Sequence, residues 1–238
     1  MPLTFPSHAA LPLPLKLWRP RWFDGVALVI GSASPDLAYA LDGTVLESVR
    51  GIALYQLAHG PAGLPLFCLP VTLACAILVR RAAPVVAAHL PARPVWLAPR
   101  DYGVLGASRP AFLVTVLSAL LGAASHQVWD AVTEHAPVAD LASTVGGAIA
   151  SLLLAVHIGR RRLLRAWHGD PPAVATRRGR FWGAAALVAV AGTVLISQLP
   201  GAFLVHTTGA RLIGVFALSL LTASALHTAP SPERATRH

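Results

Sequence analysis

The stretch AFLVTVLSALLGAASHQVWD, residues 111–130, runs apolar from Ala111 to Ala124 and passes straight into Ser125-His126-Gln127-Val128-Trp129-Asp130. Four further apolar runs recur along the chain: Leu64 to Val79, ending at Arg80 and Arg81, then Leu141 to Ile158, Phe181 to Leu199, and Leu212 to Leu226. Runs of this kind approach the roughly 20 residues that an α-helix needs to cross hydrocarbon. Of the 238 residues, 55% are hydrophobic and only 12% charged, and the mean hydropathy is +0.62. A soluble domain carries about 25% charged residues, so lipid is the expected solvent. The sequence therefore predicts an all-α fold, a polytopic transmembrane helical bundle of five full spans plus a short N-terminal helical hairpin. Residues 1–229 form one helical membrane domain, and 230–238 a disordered tail.

The net charge of +9 comes almost wholly from arginine, with Lys16 the single lysine. These arginines sit between the apolar runs, which argues against nucleic acid as a partner and for the positively charged loops of a membrane protein. The basic loops at 80–110 and 160–180 and the tail are assigned to the cytoplasm, and the loops at 126–140 and 200–210, without Lys or Arg, to the outside. The chain is expected to be a multi-pass protein of the cell membrane without a cleaved signal peptide. Cys68 and Cys75, about two turns apart on one helix, are too distant for a disulfide and read as small apolar residues.

Before the first full span the prolines at 6, 12, 14 and 20 exclude one regular helix. Segments 7–18 and 24–33 are instead expected to form a hairpin around Lys16, Arg19 and Arg21, with His8 and Asp36 at its open end. Ser34-Pro35-Asp36 reads as a helix start, serine capping and proline in first position.

Four segments then deliver ligand-type side chains to one outer face: His8, Asp36, His59, and His126 with Asp130. His126 and Asp130, four apart, share a helix face, and imidazole with carboxylate can hold one divalent ion such as zinc at about 2.0–2.2 Å. His135 follows five residues after Asp130, before Pro137. Each residue also has a bland reading: a first-turn acid, an interfacial histidine, a hydrogen-bonded pair at a helix end. Their arrival together carries the functional one, because ionisable side chains near spans are rare. His89, His157, His168, His206, His227 and His238 read as structural or solvated.

The segments Pro2-Leu3-Thr4-Phe5-Pro6-Ser7-His8-Ala9-Ala10, Gly31-Ser32-Ala33-Ser34-Pro35-Asp36-Leu37 and Ser125-His126-Gln127-Val128-Trp129-Asp130-Ala131-Val132-Thr133-Glu134-His135 resemble an uncharacterised bacterial membrane-protein family of the domain-of-unknown-function kind. That pattern is similar to the LexA-regulated membrane-bound metal-dependent hydrolases and, more distantly, to the zinc-dependent phospholipase C and S1/P1 nuclease group. The resemblance implies a divalent metal, zinc by preference, surrounded by Asp36, His59, His126 and Asp130, with His8 joining Asp130 at a second. The chain departs from the hydrolase pattern where Leu37-Ala38 follows Pro-Asp in place of a second acid, and it lacks a downstream His-x-x-x-Glu.

The resemblance implies a membrane-bound hydrolase of phosphoester bonds, with phospholipid as the preferred substrate class. In it a metal would lower the pKa of a water toward about 7 and polarise the phosphoryl oxygen. Asp36 or Asp130 would accept the water proton, and His135 would orient or protonate the leaving oxygen. The rival reading is a non-catalytic membrane protein, structural, metal-binding or transporting, with a polar cluster at one face. A transporter places such groups near the midplane on broken helices, whereas His126 and Asp130 end an apolar run. The orientation is checked by single-cysteine labelling from outside in a background lacking Cys68 and Cys75. Positions 136–140 should label and 170–178 should not; the reverse pattern overturns the assignment.

Overall fold

In the computed structural model, residues 7–49, 51–133 and 137–228 are described. His135 and the tail from 230 lie outside them. The order begins with a 3-10 turn at His8–Ala10, α1 (Leu13–Trp18), α2 (Gly25–Ala33) and a 3-10 helix at Asp36–Leu41. A small antiparallel hairpin of β1 (Ser48–Val49) and β2 (Ile52–Ala53) follows, then α3 (Leu54–His59). A π-helical turn at Leu64–Cys68 leads into α4 (Leu69–His89), and a 3-10 helix at Pro99–Gly106 precedes α5 (Phe112–Thr133). The chain continues with α6 (Pro137–Arg160), α7 (Leu163–His168), α8 (Arg178–Ser197) and α9 (Val205–Thr228). Among the described residues, five helices are long and apolar enough to cross a membrane: Leu64–His89, Phe112–Thr133, Leu141–Arg160, Arg178–Ser197 and Val205–His227. The protein is an all-α multi-pass bundle with the expected N-terminal hairpin of short helices.

Along α5 side-chain size sorts the helix, small inside and large outside. On α5 the buried face is Thr115, Ser118, Ala119, Gly122, Ala123 and His126, while Phe112, Leu113, Leu117, Val128 and Val132 stand exposed. Along α6 the exposed row is Leu141, Val145, Ile149 and Leu152. Leaving such side chains in water would forgo about 1.5–3 kcal/mol each. Lipid removes that cost, and the helices gain by close packing of small residues. The backbones of α2 and α5 cross closely. A Cβ on Gly31 would stand 2.4 Å from the Ala119 carbonyl oxygen, and one on Gly122 2.4 Å from that of Leu28.

At the end of α2 remote from Asp36, Asp24 ties three helices together. Its Oδ1 caps α2 by accepting from the amides of Val26 (3.1 Å) and Ala27 (3.4 Å). Its Oδ2 accepts from Thr115 Oγ1 (2.8 Å) and from Arg80 (2.5 Å), and its amide donates to Ser118 Oγ (2.9 Å). This network corrects the first span. The run was expected to end at Val79, but with Arg80 neutralised by Asp24 the helix continues through Pro84 to His89. The connection to α5 is correspondingly shorter. It packs closely, a Cβ on Gly106 meeting Pro84 Cγ at 2.3 Å, and its buried Asp101 accepts from Arg162 (2.9 Å) and Arg165 (2.7 Å). Ser34 does not cap the next turn as expected. Its hydroxyl donates back to the Gly31 carbonyl at 2.7 Å, and Pro35 holds the cap position. Cys68 and Cys75 are both free thiols.

The α2–α5 crossing generates a stability test. Gly122→Ala should cost about 1–3 kcal/mol through overpacking and lower the melting temperature in detergent. Gly183→Ala on α8, with open space around its Cα, should be neutral or slightly stabilising through helix propensity. Equal melting temperatures for the two variants would refute the crossing.

Candidate functional site

His126 lies on the small-residue face of α5, and the tight crossing with α2 brings its imidazole to the end of that helix. Nδ1 lies 2.8 Å from the Ser32 carbonyl oxygen, so Nδ1 donates there and Nε2 points away from the backbone. One turn on, Asp130 brings Oδ2 to 3.1 Å from that Nε2. From the neighbouring 3-10 helix, Asp36 Oδ1 stands 3.5 Å from the same nitrogen.

His59, the last residue of α3, repeats the arrangement. Its Nδ1 is 2.8 Å from the Tyr55 carbonyl, one turn back on its own helix, and its Nε2 is 3.5 Å from Asp36 Oδ1. His8 is fully buried and stacks on His126 with ring centroids 3.9 Å apart; its Nε2 faces Asp130 Oδ1 at 3.7 Å. Burial, and secondarily the neighbouring His126, pushes the His8 pKa down to about 4, so this ring is a neutral imidazole at physiological pH. The segment carrying it reaches the site because Gly147 of α6 leaves room, a Cβ there meeting the Ser7 Cβ at 2.4 Å.

All five predicted residues within the described chain, His8, Asp36, His59, His126 and Asp130, therefore meet in one cluster. It resolves into two donor sets, Asp36–His59–His126 and His8–His126–Asp130, whose donor atoms lie within 4.8 Å of one another. His126 Nε2 belongs to both. The two carboxylates and His59 retain 14–22% side-chain exposure while His8 and His126 have none. The cluster thus has a closed floor and an accessible carboxylate rim.

The donor set fits a divalent metal. Ligands at about 2.0–2.1 Å on a tetrahedral zinc stand about 3.3 Å apart, and the separations His126–Asp130 (3.1 Å), His126–Asp36 (3.5 Å) and His59–Asp36 (3.5 Å) bracket that value. Anchoring Nδ1–H on a carbonyl is the outer-shell arrangement that presents Nε2 to an ion. His126 Nε2 and Asp130 Oδ1 are buried atoms without a hydrogen bond, which an ion between them would satisfy.

His89 provides the contrast. Its Nδ1 is 2.8 Å from the Val85 carbonyl, but its Nε2 accepts from the Arg177 amide at 3.1 Å. Both nitrogens are committed to structure, as the sequence reading expected.

Three residues that sequence reasoning passed over hold or flank the cluster. Gln127 donates through Nε2 to the carbonyls of Ala58 and Gly60, both at 3.1 Å, and so fixes the carboxyl end of α3, where His59 sits, to α5. Arg211 of α9 donates to the carbonyls of Ala40 (3.1 Å), Pro200 (2.7 Å) and Asp42, pinning the far end of the Asp36 helix. Tyr39 is buried against His59 (5.4 Å) and His206 (4.8 Å), which draws His206 to the margin of the site. Position offered a signal for two of them: Gln127 follows His126 directly, and Arg211 immediately precedes the Leu212 run.

Fold and cluster together define a multi-pass helical membrane protein with a histidine–carboxylate centre at one end of its first spans. Within that class, the chain belongs to the family of the domain of unknown function DUF4184, which matches residues 1–139. The matched segment contains every residue of the cluster. No curated protein and no solved structure matches the chain.

Gln127→Leu should leave two carbonyls without donors, costing about 1–3 kcal/mol and lowering the melting temperature in detergent. Gln56→Leu, whose amide bonds only the exposed Tyr55 hydroxyl, should stay within about 0.5 kcal/mol of the parent. Indistinguishable melting curves for the two would deny Gln127 its clamping role.

Proposed function

We propose that this protein is a membrane-bound, metal-dependent hydrolase of phosphoester bonds, with phospholipid as its preferred substrate class. The observation carrying the reading is the pair of imidazoles, His59 and His126, each with Nδ1 anchored on a carbonyl and Nε2 turned to carboxylates at 3.1–3.5 Å. Asp36, His59, His126 and Asp130 would hold one zinc-like ion, with His8 and Asp130 contributing to a second. When bound, such an ion supplies Lewis acidity toward a phosphoryl oxygen.

The chain's own groups do the rest. Asp36 and Asp130, on the accessible rim, accept the proton of an attacking water. The buried floor of His8 and His126 excludes bulk water beneath them. His135 is assigned the leaving oxygen from the sequence resemblance. The resemblance to the LexA-regulated hydrolases and to the phospholipase C group supports the reaction class, and arginine placement supports an extracytoplasmic site in the cell membrane. Asp130 lies three residues from the end of α5, nearer a membrane face than the midplane position a transport site takes.

The test is metal analysis of detergent-purified protein together with hydrolysis of bis(p-nitrophenyl) phosphate and of phospholipid in vesicles. The parent protein should retain a divalent ion, and His126→Ala should lose both the ion and turnover. The loss should exceed the roughly 10–100-fold that removal of an outer-shell partner costs. Monodisperse elution of the variant shows that the fold survives, and Asp130→Asn repeats the test with a smaller change. A metal-free parent sinks the proposal. A metal-loaded parent without hydrolysis leaves a binding protein in its place.

A further inference from the structure

Between the Asp36 helix and α3 the chain forms a hairpin that exposes four apolar side chains among its polar ones. Val45 is 97% exposed, Leu46 59%, Ile52 52% and Val49 49%. Two of its polar side chains, Thr44 and Glu47, bond the segment's own backbone. Thr44 Oγ1 donates to the Leu41 carbonyl at 2.6 Å and accepts from the Leu46 amide at 3.2 Å. Glu47 Oε2 accepts from the Gly43 amide at 2.9 Å, and the Glu47 carbonyl accepts from the Leu54 amide at 2.7 Å. Gly43 (φ 70°) and Gly51 (φ 80°) supply left-handed turns at either side.

The base of the hairpin has a defined depth. Thr207 Oγ1 donates to Asp42 Oδ2 at 3.1 Å, Arg211 holds the Asp42 carbonyl, and a Cβ on Gly43 would meet Pro200 Cβ at 2.7 Å. Thr207 is the third residue of α9, about 3 Å inside that span. The apolar belt of the bundle extends to this level, since Phe203 (85% exposed), Val205 (60%) and Leu66 (68%) all face outward here. Three residues of chain from Asp42 to Val45 reach at most about 10–11 Å. Val45 therefore stays within about 8 Å of the edge of the hydrocarbon, the width of the headgroup layer on one side of a bilayer.

We infer that the hairpin tip, Val45, Leu46, Val49 and Ile52, is inserted into the headgroup–acyl boundary of the bilayer that the bundle spans. Four exposed apolar side chains on a backbone that bonds itself are what that boundary accepts. The occupant of this face is phospholipid, continuous with the lipid covering Leu66, Phe203 and Val205. Because the hairpin joins Asp36 to His59, its insertion fixes the level at which those two side chains meet the membrane. The inference rests on the membrane fold and stands whether or not the cluster binds a metal.

The test uses the full chain in phosphatidylcholine–phosphatidylglycerol vesicles, with Cys68→Ala and Cys75→Ala and one spin label at Val45→Cys or Ile52→Cys. Power saturation compares collision with oxygen, which partitions into lipid, against a water-soluble nickel chelate. Asp170, 85% exposed by its side chain in the arginine-rich segment, is the aqueous reference. The oxygen-to-nickel ratio at both hairpin sites should exceed that at Asp170 several-fold. A ratio equal to the reference at both sites overturns the inference. So does dipolar broadening between labels, which would mean that the tip meets a second copy of the chain.

Discussion

Everything in the cluster hangs on how closely α2 and α5 cross. Gly31 and Gly122 remove two β-carbons from the contact, and the backbones approach to a distance at which any side chain would collide with a carbonyl oxygen. The Ser32 carbonyl is thereby brought within reach of the His126 imidazole. That hydrogen bond chooses the tautomer, and the tautomer decides which way the free nitrogen points. A crossing wider by one methyl group would leave His126 to find another partner. The same contact carries Asp36 to the site, since it follows α2 by two turn residues. In a bilayer, where burial of apolar surface gives helices little reason to associate, this kind of small-residue packing takes over as the organising force.

The remaining supports act on backbone carbonyls. Gln127 takes up two at the end of α3, and Arg211 gathers three from two separate segments. A helix end within or near hydrocarbon cannot leave such oxygens to water. Satisfying them with a side chain from another helix fixes position as well as removing the desolvation cost. Two of the short segments that carry the cluster, α3 and the Asp36 helix, are thus each fastened to a long span by one polar side chain. At the opposite end of α2, Asp24 does the equivalent work with a carboxylate, gathering donors from α2, α4 and α5.

The spans were legible in the sequence because an apolar run surrounded by arginine has few interpretations. Their ends were less so, and the reason is specific. Arg80 looks like a stop signal until Asp24, 56 positions earlier in the chain, is found beside it. Ser34 before Pro35 has the composition of a cap, yet its hydroxyl finds a nearer acceptor in the turn just completed. The five clustered side chains could be picked out because imidazole and carboxylate are conspicuous in an apolar chain. The carbonyl-capping roles of Gln127 and Arg211 could not, since an amide or a guanidinium in that role has no local pattern beyond standing beside His126 or the Leu212 run. Its meaning lies wholly in what the fold brings near. His206 reads from the sequence as structural or solvated, and its link to the site runs through the ring of Tyr39.

The sharing of His126 Nε2 between the two donor sets makes them thermodynamically inseparable. One lone pair serves one charge at a time, so an ion held through His126 would leave His8 and Asp130 for any second. A proton on that nitrogen would compete with a cation for the same place. Linkage would make the competition reciprocal, each weakening the other by the same free energy. The two donor sets meet at a single atom, so a change of charge there would reach both without movement of the helices that carry them.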